Sequence, residues 1–508
     1  MEHPEVNYSS IPRQDTGQET DMRQVKRNVI GWYIYSFSSE PYIVSAIATY
    51  IPLLLENFAR ANGVRVDNHS QVCVSADDRC VLPMFGRRVF VDTSSFALYT
   101  FAVGVFVQTL LVISVSGMVD LWNSVTFKRN VVLSFGFVGG LSTSMMAVLR
   151  KTQYYELALL CIISNSCYGV VNVVGNSILP TLVADMNLKD EDGPISKSAD
   201  QMITLISGRG SGLGYLAALI VQLISILLVM KSSDDNNVQV ALAFVGMWWL
   251  AFQIPMIWFL RDTNFTSVKE SQFKLRDSGR YIAYGWRSLF DAISRVRLLR
   301  DVVIFLVGWF IVSDSVSTIN STAVLFARTE LMMNTVQLIV VSILTMVNAV
   351  LGAFLVPELF SKKFKLSSQY ILIGIICWTA IVPLYGILGF ATPVMGLKHQ
   401  WEMYILAVWY GVALGSLGAV SRSVFTLIIP KGKESTFFSL FNVTDKGSSI
   451  LGPILVGLIT DRTHNIRYSF FLLLGFLILS LPVFYILNVD RGKLEASELS
   501  SIDGRSEE

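Results

Sequence analysis

Twelve stretches of mostly apolar residues mark out the chain, at 29–55, 94–119, 130–149, 154–184, 202–230, 238–260, 302–327, 335–360, 368–392, 400–429, 434–460 and 466–488. Each is near or above the roughly 20 residues that a helix needs to cross a bilayer. The pattern predicts an all-α polytopic membrane protein with twelve transmembrane helices. Between the sixth and seventh stretches lies a polar, Arg-rich segment, 261–301, which divides the helices six and six. The expected organisation is a polar tail at 1–28, a first six-helix bundle at 29–260, the basic loop at 261–301, a second bundle at 302–488 and a tail at 489–508. Both tails read as disordered from their polarity. Within the basic loop, YIAYGWRSLFDAISRVRLLR has the pattern of an amphipathic helix lying on a membrane surface.

Composition agrees with the pattern and removes other classes. The 508 residues are 52% hydrophobic and 15% charged, with mean hydropathy +0.53. Soluble domains carry about 25% charged residues. A net charge of +2, with Lys and Arg spread along the chain, gives no footprint for nucleic acid. The first apolar run is too long for a cleaved signal and is expected to remain as an anchor.

Loops on the side of the N-terminus hold about twice as many Lys and Arg as those on the other side, which predicts both termini in the cytosol. Loop 56–91 then faces a lumen or the exterior. It contains the sequon Asn68-His69-Ser70, a glycan acceptor, and the pair Cys73 and Cys80, for which an oxidising compartment permits a disulfide. Cys161, Cys167 and Cys377 fall in apolar runs and read as small core residues.

The candidate chemistry lies inside the spans. Glu40 sits near the middle of the first, where a carboxylate costs roughly 2.5–3.5 kcal/mol and normally faces a cavity or a partner. Pro41 follows it and predicts a kink. The seventh span echoes the first. Gly31-Trp32-Tyr33-Ile34-Tyr35-Ser36 matches Gly308-Trp309-Phe310-Ile311-Val312-Ser313, and each run leads to an acid, Glu40 or Asp314. Arg209-Gly210-Ser211 in the fifth span likewise matches Lys446-Gly447-Ser448 in the eleventh. Two such matches point to parallel six-helix repeats. Glu40 and Asp314 are candidates to hold a substrate amine or a coupling proton.

Arg209, Arg422 and Lys446 are candidates for a substrate carboxylate, or counter-charges to those acids. Salt-bridge scaffolding is the plainer reading of all three. Asp445 precedes Lys446, but neighbouring residues on a helix diverge, so the two are not expected to pair. Gly208, Gly210, Gly212 and Gly214 make two interleaved GxxxG spacings, whose usual meaning is close helix packing. No HExxH, GxSxG or Walker-type phosphate loop occurs, and no cofactor or metal motif. The four histidines are scattered through loops. Nothing here supports an enzyme or an ATP-driven pump.

Ser116-Gly117-Met118-Val119-Asp120, with Lys128 and Arg129, resembles a reduced form of the signature loop of the major facilitator superfamily. Ser116 replaces the opening glycine and Leu121 stands where a basic residue is usual. Asp461-Arg462 after Gly457 is a similar remnant, and both read as gates or structural ties. Longer blocks are more specific: GWYIYSF with EPYIVSAIATYIPLLL, VDTSSFALY, VVGNSILP, SGRGSGLGY, SDSVSTINSTAVLF and SRSVFTLIIPKGKESTFFSLFNVTDKGSSILGPILVGLITDRTHNIRYSF. From Gly31 to about residue 490 the chain resembles the fungal autophagy-related vacuolar amino-acid effluxers, a branch of that superfamily. The resemblance implies a major-facilitator-type fold in the vacuole membrane. It also implies export of leucine, isoleucine and tyrosine-like amino acids after autophagic degradation, sustaining growth in nitrogen starvation. The implied partners are the amino acid, membrane lipid and, where transport is coupled, protons. A porter of another small metabolite is the alternative within transport. A non-transporting receptor or scaffold acting through loop 261–301 is the alternative outside it.

Overall fold

The computed structural model describes residues 15–66, 69–73, 80–122, 124–187, 199–231, 237–263, 278–295, 299–333, 335–449, 451–463 and 465–506. Asn68 and the side chain of Asp461 lie outside the described residues. The first group of helices is α1 (Asp15–Pro41), α2 (Ile51–Ala61), α3 (Thr93–Trp122), α4 (Val125–Met145), α5 (Tyr154–Asn187), α6 (Ala199–Lys231), α7 (Asn237–Gln253) and the single turn α8 (Met256–Phe259). An outlying helix, α9 (Ser278–Arg295), comes next. The second group is α10 (Arg300–Thr329), α11 (Thr335–Val356), α12 (Ser368–Ala391), α13 (Gln400–Ile428), α14 (Glu434–Ser448), α15 (Leu451–Thr463) and α16 (Ser469–Ile486), followed by α17 (Val489–Ser506).

Eleven helical stretches among the described residues are long and apolar enough to cross a membrane. The chain expected at 434–460 is not one rod. It is two short helices, α14 and α15, which part around Ser449. The sequence there, Gly447-Ser448-Ser449, with Gly452-Pro453 just beyond, holds the residues that break helices.

The first span also departs from expectation. Pro41 ends an α-helical run, and Tyr42–Tyr50 continues as a π-helix in which the Ile51 N–H reaches back to the Ala46 carbonyl. Wide turns of this kind concentrate at functional sites. The polar tails are corrected in their described parts. Helix α1 starts at Asp15, with Val25 and Asn28 buried, and α17 is a helix docked against α10 and α13.

Two ties of the same design close the two groups. The Asn28 side chain accepts the Arg261 N–H at 3.0 Å, joining the start of the first span to the residue after the sixth. Asp301 accepts the Asn488 N–H at 2.8 Å, joining the start of the seventh span to the end of the last, and its two oxygens also take the Arg491 guanidinium at 2.7 and 2.8 Å.

Strands β1 (Val64–Arg65), β2 (Cys80–Met84) and β3 (Val89–Asp92) form a small antiparallel sheet on one end of the bundle, the hairpin face. Cys73 and Cys80 are joined by a disulfide. Cys161 and Cys167 are buried, but Cys377 is exposed on the flank of α12 and is not a core residue. Helix α9 lies along α3 at the opposite face. Gly117 and Gly285 let the two backbones touch there, and Trp286 Nε1 donates to Ser114 Oγ at 3.1 Å.

Helix α6 meets both groups. A side-chain carbon added at Gly210 would strike Trp32, and one at Gly214 would strike Glu40 and the Ser36 carbonyl, all on α1. One at Gly208 would strike the Ala353 carbonyl and Pro357, and one at Gly212 the ring of Phe354, all at the end of α11. The two GxxxG spacings therefore serve two different partners, one in each group.

Candidate functional site

A cavity of about 950 Å³ lies between the two groups. Its lining reaches Leu55, Ala97, Phe326, Leu338, Leu397 and Phe470, which stand at or near helix ends on the hairpin face. Elsewhere it is lined by Glu40 at the end of α1, Tyr215 on α6, Trp309 and Ser313 on α10, and Asp445 and Lys446 in the last turn of α14. The π-helical turns supply part of one wall through Ile43, Val44 and Ile47. Most of the remaining wall is apolar, with amide groups from Asn165, Gln222 and Asn320 and hydroxyl groups from Ser317 and Thr345.

The opposite face is sealed by contacts between the groups. Both oxygens of Asp120, near the end of α3, accept backbone N–H groups in the first turn of α14, from Ser435 and Thr436, each at 2.7 Å. A carboxylate at a helix N-terminus meets unpaired donors and the positive end of the helix dipole. Lys128, fully buried, lies 3.8 Å from Glu434 and donates to the Ser177 carbonyl at 3.1 Å. A second seal joins α6 to α12 and α13. The Ser368 N–H donates to Asp200 at 3.2 Å, Thr204 bonds Ser423 at 2.7 Å, and Ser207 donates to the Ala419 carbonyl at 2.8 Å.

The structure sorts the predicted site residues. Glu40 faces the cavity, with Arg422 and Lys446 as its electrostatic partners. Asp314 does not line it. That side chain is buried and accepts the Gly452 N–H at 2.9 Å, so it caps α15 where the broken helix resumes. Arg209 is also outside. It is half exposed, 3.6 Å from Glu358 in the π-helical extension of α11 (Pro357–Lys363). Arg422 reaches from α13 across to the first group, donating to Ser211 at 3.3 Å with its guanidinium 5.8 Å from the centre of the Trp32 ring. Arg462 is exposed.

Lys446 is in the cavity, and it does pair with Asp445, at 3.7 Å. The divergence of neighbouring helical positions fails here because the lysine is long and the pair lies in the last turn before the break. Asp445 is the functional candidate that sequence reasoning passed over. Trp309 Nε1 donates to it at 3.2 Å and Ser313 Oγ at 2.6 Å. The signal was present in the repeat, because Trp309 and Ser313 belong to the segment that echoes Trp32 and Ser36. The acid facing the cavity from the second group is therefore Asp445, and Asp314 holds the helix that follows it.

The whole-chain comparisons agree with this architecture. The human organic anion transporter MFSD10 superposes with a TM-score of 0.60 at 14% identity, covering 91% of this chain and 99% of that one. The major facilitator superfamily transporter FucP, in its outward conformation, gives 0.60 at 12%, covering 92% and 99%. These likenesses establish the major-facilitator-type fold. By sequence, Autophagy-related protein 22 of Vanderwaltozyma polyspora is 57% identical over 512 residues, 98% of each chain. Its namesake in Eremothecium gossypii is 58% identical over 498 residues, again 98% of each, and that of Saccharomyces cerevisiae is 52% identical over 507 residues, 96% of each. The family described as "Vacuole effluxer Atg22 like" matches residues 24–497. With the fold and nearly the full length in agreement, the chain belongs to the Atg22-like vacuole effluxer family.

Proposed function

We propose that this protein carries amino acids out of the vacuole lumen into the cytosol by alternating access, in service of autophagy. The observation that carries the reading is the cavity. Its lining includes acids and a base, Glu40, Asp445 and Lys446, among mostly apolar walls. A free amino acid offers an ammonium, a carboxylate and an often apolar side chain, and the lining holds a counterpart for each. The relatives' shared name and the family's description support the vacuole membrane and the link to autophagy. The basic-residue bias supports cytosolic termini, which makes the hairpin face lumenal and gives the disulfide an oxidising setting.

In this orientation the described state is open to the lumen and closed to the cytosol. Substrate enters from the hairpin face, meets the charged residues and waits on the seal made by Asp120 and Asp200. Release requires those hydrogen bonds to break while the hairpin end closes, with α6 rolling between α1 and α11. Glu40 is the carboxyl placed to take up and release a coupling proton, because it faces the cavity, and the two cations near it compete with that proton for the carboxylate.

The test is efflux of labelled leucine from proteoliposomes at two lumenal pH values, with unlabelled amino acids, sugars and peptides as competitors. Competition by neutral amino acids supports the reading. Competition by sugars or peptides alone replaces it with a porter of another metabolite.

A further inference from the structure

Asp445 and Lys446 are consecutive, both line the cavity, and they face each other at 3.7 Å with side chains 31% and 27% exposed. Oδ1 of Asp445 is fixed by Trp309 and Ser313, at 3.2 and 2.6 Å, which leaves Oδ2 turned to the lysine. An ion pair that is partly open to a cavity and rigid at one end is well placed to exchange partners. An α-amino acid carries its two charges on one carbon, so they are spaced closely enough to meet this pair side by side.

We propose that the Asp445–Lys446 pair is the recognition element for the zwitterion, with the substrate ammonium on Asp445 and its carboxylate on Lys446. The inference deepens the amino-acid reading above and rests on it. Binding exchanges one internal ion pair for two with the ligand. Glu40 and Asp445 are matched in number by Arg422 and Lys446, so with Glu40 ionised this central set is neutral when empty and stays neutral with a zwitterion bound. A solute with net charge would leave one charge uncompensated in a mostly apolar chamber, which is costly. Tyr215, Trp309, Tyr410, Leu414 and Leu417 line the same cavity and offer a wet-to-apolar surface for branched or aromatic side chains. The site therefore selects neutral amino acids with apolar side chains and rejects arginine, lysine, glutamate and aspartate.

The experiment is equilibrium binding of labelled leucine to the purified full-length chain. The competitors are 4-methylpentanoate, which is leucine without its ammonium, and 3-methylbutylamine, which is leucine without its carboxylate. Asp445→Asn is expected to weaken leucine at least about tenfold while 4-methylpentanoate changes by less than about threefold. Lys446→Gln is expected to give the mirror image, sparing the amine. Asp445→Glu, which keeps the charge, is expected to restore preference for ligands with an ammonium, and it separates recognition from misfolding. Equal losses for all three ligands in both variants overturn the inference, as does a switch of amine preference on Glu40→Gln in place of Asp445→Asn. Failure of the unaltered chain to bind leucine or any other neutral amino acid overturns the amino-acid reading, and the inference with it. Binding by the unaltered chain with no split between the analogues overturns the inference alone.

Discussion

Asp120 and Ser435 belong to opposite groups of helices, and the carboxylate of one accepts the backbone N–H of the other at 2.7 Å, with Thr436 making the second bond at the same length. Hydrogen bonds to a charged group are worth about 1.5–3 kcal/mol each. Asp120→Ala removes both and leaves the first turn of α14 uncapped. The expected result is a shift toward the state open at the opposite face, read as faster labelling of a cysteine placed at Ser177 or Ser435. Unchanged labelling would reduce Asp120 to a local cap.

Gly210 and Gly212 are two residues apart and predict different failures. Gly210→Val drives a side chain into Trp32 within one group, so it is expected to lower the melting temperature of the purified protein. Gly212→Val meets Phe354 across the two groups. It is expected to fold, to pull α6 from α11, and to lose the sealed state. Thermal unfolding and accessibility labelling measured together distinguish the two outcomes.

Arg209 and Arg422 exchange importance relative to the pattern in the sequence. Arg209 makes an exposed pair with Glu358, and such pairs contribute about 0–1 kcal/mol. Arg209→Gln should leave leucine transport within about twofold of the unaltered rate. Arg422→Gln removes the bond to Ser211, the contact over Trp32 and a counter-charge to Glu40, and should lower transport at least about tenfold.

Glu40→Gln keeps the shape of the side chain and removes its proton exchange. Initial rates of leucine efflux should lose their dependence on lumenal pH, while Asp314→Asn should instead reduce stability by loosening the start of α15. A Glu40→Gln protein with both rate and pH profile intact would make the acid structural.

The Cys73–Cys80 bridge spans a short loop, with a sequence separation of 7. Chain-entropy arguments give such a loop about 2–3 kcal/mol. Replacing both with serine should raise hydrogen exchange in β1 to β3, with transport largely preserved, because the bridge does not line the cavity.

The elements were legible wherever apolar runs were long and continuous, since a bilayer demands little else of a span. Glu40 was legible as an anomaly, and the glycines of α6 as a packing surface. Their division between two partners was not, because it depends on which groups of helices lie on each side. Arg209 and Arg422 look alike in sequence, both being cations in apolar runs, and both reach the other group; only the azimuth of each helix sets one in an exposed pair with Glu358 and the other against Ser211 and Trp32. Asp314 misled for a different reason. An internal repeat matches backbone positions, whereas the break between α14 and α15 recruited this acid as a cap and left the cavity role in the second group to Asp445. The Gly-Ser-Ser and Gly-Pro signals of that break were readable, and reading them would have moved attention from Asp314 to the residues beside the gap.

The π-helical turns after Pro41 bear on how the chain tolerates changes in length. Hydrogen bonds that reach back five residues hold a surplus residue in each turn, compared with the four-residue reach of an α-helix. Deleting one residue from Tyr42–Tyr50 therefore has somewhere to be absorbed: a wide turn tightens, and Ile51 onward keeps its bearing. The same deletion in α5 or α13 would rotate everything beyond it away from its neighbours. The wall of the cavity beside Glu40 is thus a part of this membrane domain where deletion of a single residue is expected to be survivable, and where natural or engineered variants can reshape the chamber without rebuilding the bundle.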